Sequence, residues 1–577
     1  MTVYTPPVQE MSFALTHSAS LQSVIDLPDY QEVDQDIVEA VLDEAAKLAR
    51  DVWAPLNWEG DQNGAKITDH AVETTPGFKD AYWQFVNGGW NALPHNPEFG
   101  GQGLPLVLSM ATGEMWQAAN LSLGLCPLLT QAAIEAIETH GDAAQKALYL
   151  EKLISGEWTG TMNLTEPQAG TDLAAIRCTA KKQGDHYLIT GQKIFITYGD
   201  HDFTENVIHL VLAHVEGLPA GNKGLGLFIV PKVLVDDDGS LGERNDLYPV
   251  SLEHKLGIHG SPTCVMQFGD QGGATGFLVG QEGEGLKNMF IMMNNARIAV
   301  GLQGVSICDR AYQQAVSYAR ERTQGFALAG DQSQRVSIID HSDVRRMLLT
   351  MRAYTEAARA LTYSAGTALD FAHKASDLDT QKAFHARAGL LTPLVKSWAT
   401  DLAVEVASIG IQIHGGMGFI EETGAAQYYR DARILPIYEG ANGIQAMDLV
   451  FRKVLRDGGQ EAKRYIGEMK TIDHAGLQAA VRDLEEVTDW VLKTGQDDLN
   501  IPASIGALYL RQFATIAGGA LMAQQMHAAR QETGPFFETK VLTAEYYLDV
   551  LMPQVSGLKS AIMNGAQAVL DMTPDQF

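Results

Sequence analysis

Apolar residues near the start of the chain recur every three or four positions. Ile37, Val38, Val41, Leu42, Ala45, Leu48, Ala49 and Val52 trace one helical face. Asp34 is placed to cap that helix, and Pro55 stops the run. A Gly- and Pro-rich loop spans Pro94 to Gly103, and helical pattern resumes from Ser109 to about Ser155. Near Thr159 the period changes. HYLITGQKIFIT (His186–Thr197), NVIHLVLAHV (Asn206–Val215) and GLGLFIVP (Gly224–Pro231) are short and β-branched or alternating, with Gly, Asn and Asp between them. This predicts an antiparallel β lobe reaching about Gly276. Helical period returns in long segments over about 286–324, 340–374, 378–413 and 440–457, the pattern of an antiparallel four-helix bundle. The last block, about 463–577, is helical again, with Leu477, Val481, Leu484, Val487 and Val491 on one stripe. Two more helices are expected there, after Pro502 and after Pro535.

The chain is therefore α+β and mostly α, in four regions: helical 1–158, β 159–276, bundle 277–460 and additional helices 461–577. Its 577 residues exceed what one core holds, since cores stop growing near about 250–300 residues. Helix, sheet and helix follow one another unmixed, which is not a doubly wound order. Gly280, Gly283 and Gly285 make a GxGxxG-like fragment, but it follows no βαβ strand and fits a glycine turn. P-loop, HExxH and GxSxG motifs are absent, and no metal-ligand motif is found.

Composition narrows the ligand classes. The formal net charge is −28, which disfavours nucleic acid and an anionic membrane surface. Any phosphorylated ligand must be met by a few placed cations. Cys126, Cys178, Cys264 and Cys308 are scattered and form no CxxC, so buried thiols in a reducing cytosol are expected. The N-terminal stretch lacks the order of a signal peptide, and no run approaches the ~18 apolar residues of a membrane helix.

Four stretches carry candidate chemistry. Asn163 to Asp172 (NLTEPQAGTD) offers hydroxyls, carboxylates and a glycine at the start of the β lobe, suited to a planar heteroaromatic ligand; an ordinary polar turn has the same composition. In Lys193–Gly199 (KIFITYG), Phe195 and Thr197 share a strand face, an aromatic wall beside a hydroxyl, although any strand end can look so. Gln412–Phe419 (QIHGGMGF) holds three glycines in a helical context, where each costs about 1 kcal/mol against Ala. Either a ligand approaches the backbone there or the helix ends. Ile434–Gly443 (ILPIYEGANG) sets Glu439 among Leu435, Ile437 and Tyr438, where desolvation would raise its pKa toward that of a base for a weak C–H acid. A solvated loop glutamate is the plainer alternative.

In this order and on these lobes, the four stretches resemble the acyl-CoA dehydrogenase family over about 80–457. Asn163 stands where the family has a smaller residue, and Gln427 where Lys or Arg is typical. The resemblance implies FAD as cofactor and an acyl-CoA substrate. It assigns Met162, Leu164, Thr165, Phe195 and Thr197 to the flavin, Phe195 where Trp is common. It assigns Arg322, Gln412, His414, Gly415 and Gly416 to the dinucleotide, with Arg322 reaching the FAD of a second subunit. Thr171, Asn294, Arg297 and Gly440 fall on the substrate side, and Glu439 aligns with the catalytic base. Ala441-Asn442-Gly443 replaces a frequent Thr-x-Gln, so Gly443 is left only its backbone for FAD.

The resemblance further implies an electron-transfer flavoprotein as electron acceptor. The opening YxxPVxEMxFxL, the stretch GAAQYYRDARILPIYEG and the added helices resemble one bacterial branch, which implies a short acyl group and a bacterial cytosol. The helices of 463–577 are expected to cover the face on which smaller members pair dimers into tetramers, implying a homodimer. An acyl-CoA oxidase using O₂ and a non-catalytic interaction protein are the competing readings.

Overall fold

The structure, a computed structural model, describes residues 3–329 and 333–577. Its main helices are α1 (Val8–His17), α2 (Gln35–Leu48), α3 (Leu106–Ala119), α4 (Leu121–His140), α5 (Ala143–Ser155), α6 (Gly285–Glu321), α7 (Ser342–Lys374), α8 (Leu378–His414), α9 (Asn442–Met447), α10 (Ala475–Asp497) and α11 (Asn500–Ala529). The main strands are β1 (Thr159–Asn163), β2 (Thr179–Gln183), β3 (His186–Thr197), β4 (Val207–Val215), β5 (Leu225–Pro231), β6 (Leu247–Leu252), β7 (Thr263–Phe268) and β8 (Ala274–Val279). The chain forms two compact units. One comprises residues 47–104 and 119–296, the other 1–46, 105–118 and 297–577.

The first unit is built on an eight-stranded sheet in the order β6-β7-β3-β8-β5-β4-β1, with β2 pairing β3 and β4. Most ladders are antiparallel, as expected for this lobe. Two are not: β1 runs parallel to β4 from Thr159↔Val207 to Asn163↔Val211, and β2 pairs parallel with the end of β4. The β2–β3 excursion between β1 and β4 supplies the long crossover that parallel pairing needs. Alternation reports which face a residue occupies and says nothing of a neighbour's direction.

Helix α4 covers β1 closely. A Cβ on Gly160 would lie 2.4 Å from Ala133 Cβ, and Thr130 Oγ1 accepts the Gly160 N–H at 3.1 Å. By length and a mean hydropathy of 1.2, α4 meets the measure of a membrane span, contrary to the expectation from the sequence. Yet 83% of that window is buried, so its apolar surface is used against the core of this unit. The turn glycines at 280 and 283 have φ of +74° and +82° and lead into α6, in keeping with a turn.

In the second unit, Asp34 accepts the Ile37 N–H at 2.9 Å and caps α2 as expected. The long helices α6, α7 and α8 form the bundle. Segment 440–457 is not one regular helix, because α9 gives way to a π-helical turn at Asp448–Leu455, which rotates the face that follows. Helices α10 and α11 and the helix at Pro535–Tyr546 match the predicted block. Gln460–Lys470 and Ser556–Asp571 add two helices beyond those expected, the second following a short turn that contains Pro553.

Buried charges order this bundle. Arg359 on α7 grips Glu114 on α3 with contacts at 2.7 and 2.9 Å, and the Tyr363 hydroxyl donates to the same carboxylate at 2.7 Å. Asp370 accepts the first N–H groups of α3, from Leu106 at 2.8 Å and Val107 at 3.0 Å, and the Tyr30 hydroxyl at 2.9 Å. A carboxylate there satisfies orphan donors and complements the helix dipole. Helices α6 and α8 touch through backbone. A Cβ on Gly304 would lie 2.5 Å from Ala399 O, and one on Gly301 2.4 Å from Val395 Cγ1. Both glycines are helical, so only their lack of a side chain is at stake. Gly304→Val is expected to force α6 from α8 and to cost about 1–3 kcal/mol or more. A thermal melt unchanged from the parent protein would refute the close approach.

Candidate active site

The sheet unit supplies a loop and a strand end. Thr165 is half-buried, Met162 and Leu164 are buried, and Thr171 is exposed. Glu166 and Ala169 exchange backbone hydrogen bonds at 3.0 Å, closing a turn over Pro167 and Gln168. The loop is fastened to β3 by a buried ion pair. Lys193 Nζ donates to Glu166 Oε1 at 2.8 Å and to the Leu164 carbonyl at 2.9 Å. Glu166 also accepts the N–H groups of Arg177 at 2.7 Å and Cys178 at 3.0 Å. Burial pushes this carboxyl up, but the lysine charge and these donors hold it below its ordinary range.

Simple alternation along β3 would put Lys193 on the same face as Phe195 and Thr197. A bulge prevents this. The register against β7 slips between Met266↔Lys193 and Cys264↔Ile196, and Phe195 takes φ +62°. Lys193 thus turns inward, while Phe195 stays 58% exposed and Thr197 half-buried. The open aromatic and the neighbouring hydroxyl fit a flat ring system. Asn163, larger than the family residue, is buried with its amide 3.3 Å from His209 Nδ1. Asn294 is exposed on α6.

The helical unit holds the other groups. Gln412, Gly415 and Gly416 are exposed at the end of α8, and Cβ atoms on both glycines would meet open space. Arg322, exposed, donates to Gln324 at 3.3 Å. The Gly415 N–H is spent on the Gln412 carbonyl, but the open space over the two glycines and the exposed Arg322 charge are each compatible with a phosphate-bearing group. His414 differs from its companions. It is buried, stacks on Tyr318 at 4.4 Å and donates from Nδ1 to the Gly410 carbonyl at 2.7 Å, so its ring faces inward.

Glu439 lies in a turn before α9 with φ +54°, and Gly440 follows at +88°. A side chain at 440 would meet Gln445 Nε2 at 2.6 Å and Arg297 Nη2 at 3.5 Å, so glycine is required twice over. Arg297, buried, donates from Nε to the Glu439 carbonyl at 3.4 Å. Gln445 donates to the Gly440 carbonyl at 3.2 Å, and the Tyr438 hydroxyl donates to Gln303. Burial raises the Glu439 pKa above its ordinary range, opposed by the charges of Arg297 and Lys396. Of the apolar neighbours expected around this carboxylate, Leu435 is buried but Ile437 is 51% exposed.

Lys396, Asn442 and Gln303 have no signal in the motif spacing. Lys396 is fully buried on α8 and donates to Asn442 Oδ1 at 2.8 Å. The Asn442 amide donates to the Ser397 carbonyl at 3.1 Å, Thr400 Oγ1 at 3.0 Å and Asp401 Oδ1 at 2.8 Å. Asn442 is thus clamped onto one face of α8, and Gly443 beside it is open. Only the pairing of a helical lysine with a loop asparagine in three dimensions reveals this.

A cavity of about 1130 Å³ elsewhere in this unit is lined by Glu10, Tyr318, Arg352, Glu356 and His414 among others. Arg352 already bonds Glu356 at 2.6 Å, and Lys540 bonds Glu10 at 2.9 Å and Glu356 at 2.6 Å, so its charges are largely spent on one another. The chemistry is better assigned to Glu439.

Removing one member of the Lys193–Glu166 pair strands a buried charge. Lys193→Met is expected to cost about 3–5 kcal/mol, and adding Glu166→Gln to recover part of it. Chemical denaturation checks this, and a double variant no better than the single would contradict it.

The geometry meets four family descriptions along the chain. Residues 36–157 match the acyl-CoA dehydrogenase N-terminal domain, 161–271 the middle domain, 283–454 the C-terminal domain and 460–573 the acetyl-CoA dehydrogenase C-terminal-like domain. The 3-methylmercaptopropionyl-CoA dehydrogenase of Ruegeria pomeroyi is 46% identical, covering 98% of this chain and 99% of its own. A butyryl-CoA dehydrogenase of Syntrophomonas wolfei is 32% identical over 100% and 99%. A solved acyl-CoA dehydrogenase complexed with FAD from Bacillus anthracis superposes with a TM-score of 0.75 at 20% identity, covering 96% of this chain and 94% of that one, and so bears on the fold alone. With a relative this similar over nearly its whole length, the chain belongs to the acyl-CoA dehydrogenase family.

Proposed function

We propose that this enzyme oxidises a short acyl-CoA at its α,β carbons, with 3-methylmercaptopropionyl-CoA as the favoured substrate and methylthioacryloyl-CoA as product. The carrying observation is Glu439, a half-buried carboxylate on a turn tied to two cations, to Arg297 through its own backbone carbonyl and to Lys396 through Asn442. The relative named for that thioester supports the acyl group. So do the opening sequence pattern and the stretch around GAAQYYRDARILPIYEG, which resemble the branch to which that relative belongs.

Glu439 takes the α-proton from the substrate. Its raised pKa narrows the gap to a weak carbon acid, as general-base catalysis requires. Its backbone N–H is assigned to the thioester carbonyl, where charge builds as the proton leaves. FAD, when bound, accepts the β-hydride. Thr165, Phe195 and Thr197 would hold the flavin, with Met162 and Leu164 beneath. Arg322, Gln412, Gly415 and Gly416 would hold the dinucleotide, in a homodimer through a second copy. Thr171, Asn294, Arg297 and Gly440 are assigned to the substrate side. His414 supports that segment from within, and Gly443 offers only backbone. An electron-transfer flavoprotein is the proposed acceptor. Four buried free thiols suit a reducing cytosol.

The deciding experiment is an anaerobic visible spectrum of the flavin-loaded protein before and after 3-methylmercaptopropionyl-CoA, with butyryl-CoA and a C16 acyl-CoA alongside. Bleaching by both short thioesters, with kcat/KM falling toward C16, is expected; a clear preference for C16 sinks the substrate reading. Glu439→Gln is expected to keep its flavin and lose about 10²–10⁴-fold or more in turnover. Retained turnover moves the base elsewhere. Light scattering is expected to give the mass of a dimer, and a tetramer would contradict the role given to the helices of 461–577.

A further inference from the structure

A fully buried lysine on a helix needs a reason, because an ammonium is costly to remove from water. Lys396 is such a residue. Its contacts lead to the Glu439 turn: Nζ donates to Asn442 Oδ1 at 2.8 Å, three residues beyond the carboxylate. Asn442 cannot yield, since its amide is held by Ser397, Thr400 and Asp401 on the same helix. The Asn442 N–H also donates to the Pro436 carbonyl at 3.0 Å, closing the loop that displays Glu439. The ammonium is therefore fixed relative to that loop by a clamp whose other bonds anchor it to α8.

We propose that Lys396, tethered by Asn442, is a positioning residue that holds a positive charge beside Glu439 and sets the pH at which this carboxylate becomes a base. The inference rests on the reading of Glu439 as the base. Lys396 acts through Glu439 and touches no substrate in this account.

Two features separate this role from simple packing. Glu439 and Lys396 interact electrostatically, each favouring the charged form of the other. Burial pushes the lysine itself down to about 7, opposed by Glu439 and Asp401 and assisted by Arg297. Each group therefore bears on the ionisation of the other. The surrounding charges are Arg297, with Asp448 and Arg452 acting on it, and Asp401, with Arg433 and Arg511 acting on it. Arg297 carries charge throughout the working range. Lys396 is the cation near Glu439 whose charge changes close to neutrality.

The sign follows directly. A neighbouring cation favours the carboxylate form, so it lowers the pH at which Glu439 ionises. Without that cation, Glu439 ionises later as pH rises. The test is the rate of flavin bleaching under anaerobic conditions from pH 5.5 to 9.5, with 3-methylmercaptopropionyl-CoA and butyryl-CoA in parallel series. Lys396→Met is expected to move the acid limb upward by about 1–3 pH units. Lys396→Arg, which keeps the charge, is expected to bring the limb back. Asn442→Leu, which keeps the lysine and removes its tether, is expected to move it in the direction of Lys396→Met by a smaller step.

Superposable profiles for Lys396→Met and the parent overturn the proposal. Equal shifts in Lys396→Met and Lys396→Arg also overturn it, because they report packing and not charge. If Lys396→Met yields no flavin-loaded protein, Asn442→Leu decides, and an unmoved limb there is fatal. Glu439→Gln, run beside them, separates the two failures. Retained turnover in Glu439→Gln defeats the base assignment, whereas lost turnover with an unmoved Lys396→Met limb defeats only the lysine.

Discussion

Glu439 occupies a left-handed backbone conformation at φ +54°, which costs a residue with a Cβ of order 1–3 kcal/mol. Such a conformation persists only when its surroundings over-determine it. Here they do so from several directions. Gly440 continues the turn at +88°, Arg297 and Gln445 donate to its carbonyls, and the Asn442 N–H closes it onto Pro436. The rest of the helical unit can be understood as what makes that turn tolerable. Gly301 and Gly304 let α6 press its backbone against α8 at Val395 and Ala399, the stretch that carries Lys396 and Thr400. Arg297 begins the part of α6 in the same compact unit. One close helix pair therefore carries both cations that answer the Glu439 charge.

A carboxylate base faces two opposed demands. It must be dry enough to be basic and still ionised when substrate arrives. Burial alone would meet the first and defeat the second. Arg297 supplies a permanent charge but is itself lowered by burial, and Asp448 is the largest influence that supports it. Charges of alternating sign thus act on one another, from Glu439 to Arg297 to Asp448, and from Glu439 to Lys396 to Asp401. The sheet unit solves a similar problem differently. There Lys193 and Glu166 neutralise each other inside the loop that bears Thr165, and backbone N–H groups finish the carboxylate.

Much of this was open to reading in one dimension. The change of period near Thr159, the bundle helices and the four motifs follow from residue types and spacing alone. What escaped did so for physical reasons. The parallel ladders of β1 and β2 depend on crossover path, which alternation does not encode. The bulge at Phe195 adds a residue to one strand and turns Lys193 inward, so a period-2 count fails at the place where the site is built. Ile437, two residues before Glu439, is expected in the apolar wall by its proximity in sequence but is half exposed. His414 belongs to a glycine-rich motif directed at solvent, and yet the end of its helix turns it onto Tyr318.

Lys396 illustrates the deeper limit. Nothing in a helical segment of small and apolar residues marks one lysine as buried, and its partner lies well along the chain. The sequence at 441–443 gains its meaning only through that partner. Ala441 and Gly443 stand in place of the Thr-x-Gln that the family resemblance leads one to expect, and neither has a polar side chain to offer. Asn442, between them, points inward and commits its amide to α8. Such a turn would have only backbone to offer a cofactor, and its one side-chain amide is spent on Lys396 and α8.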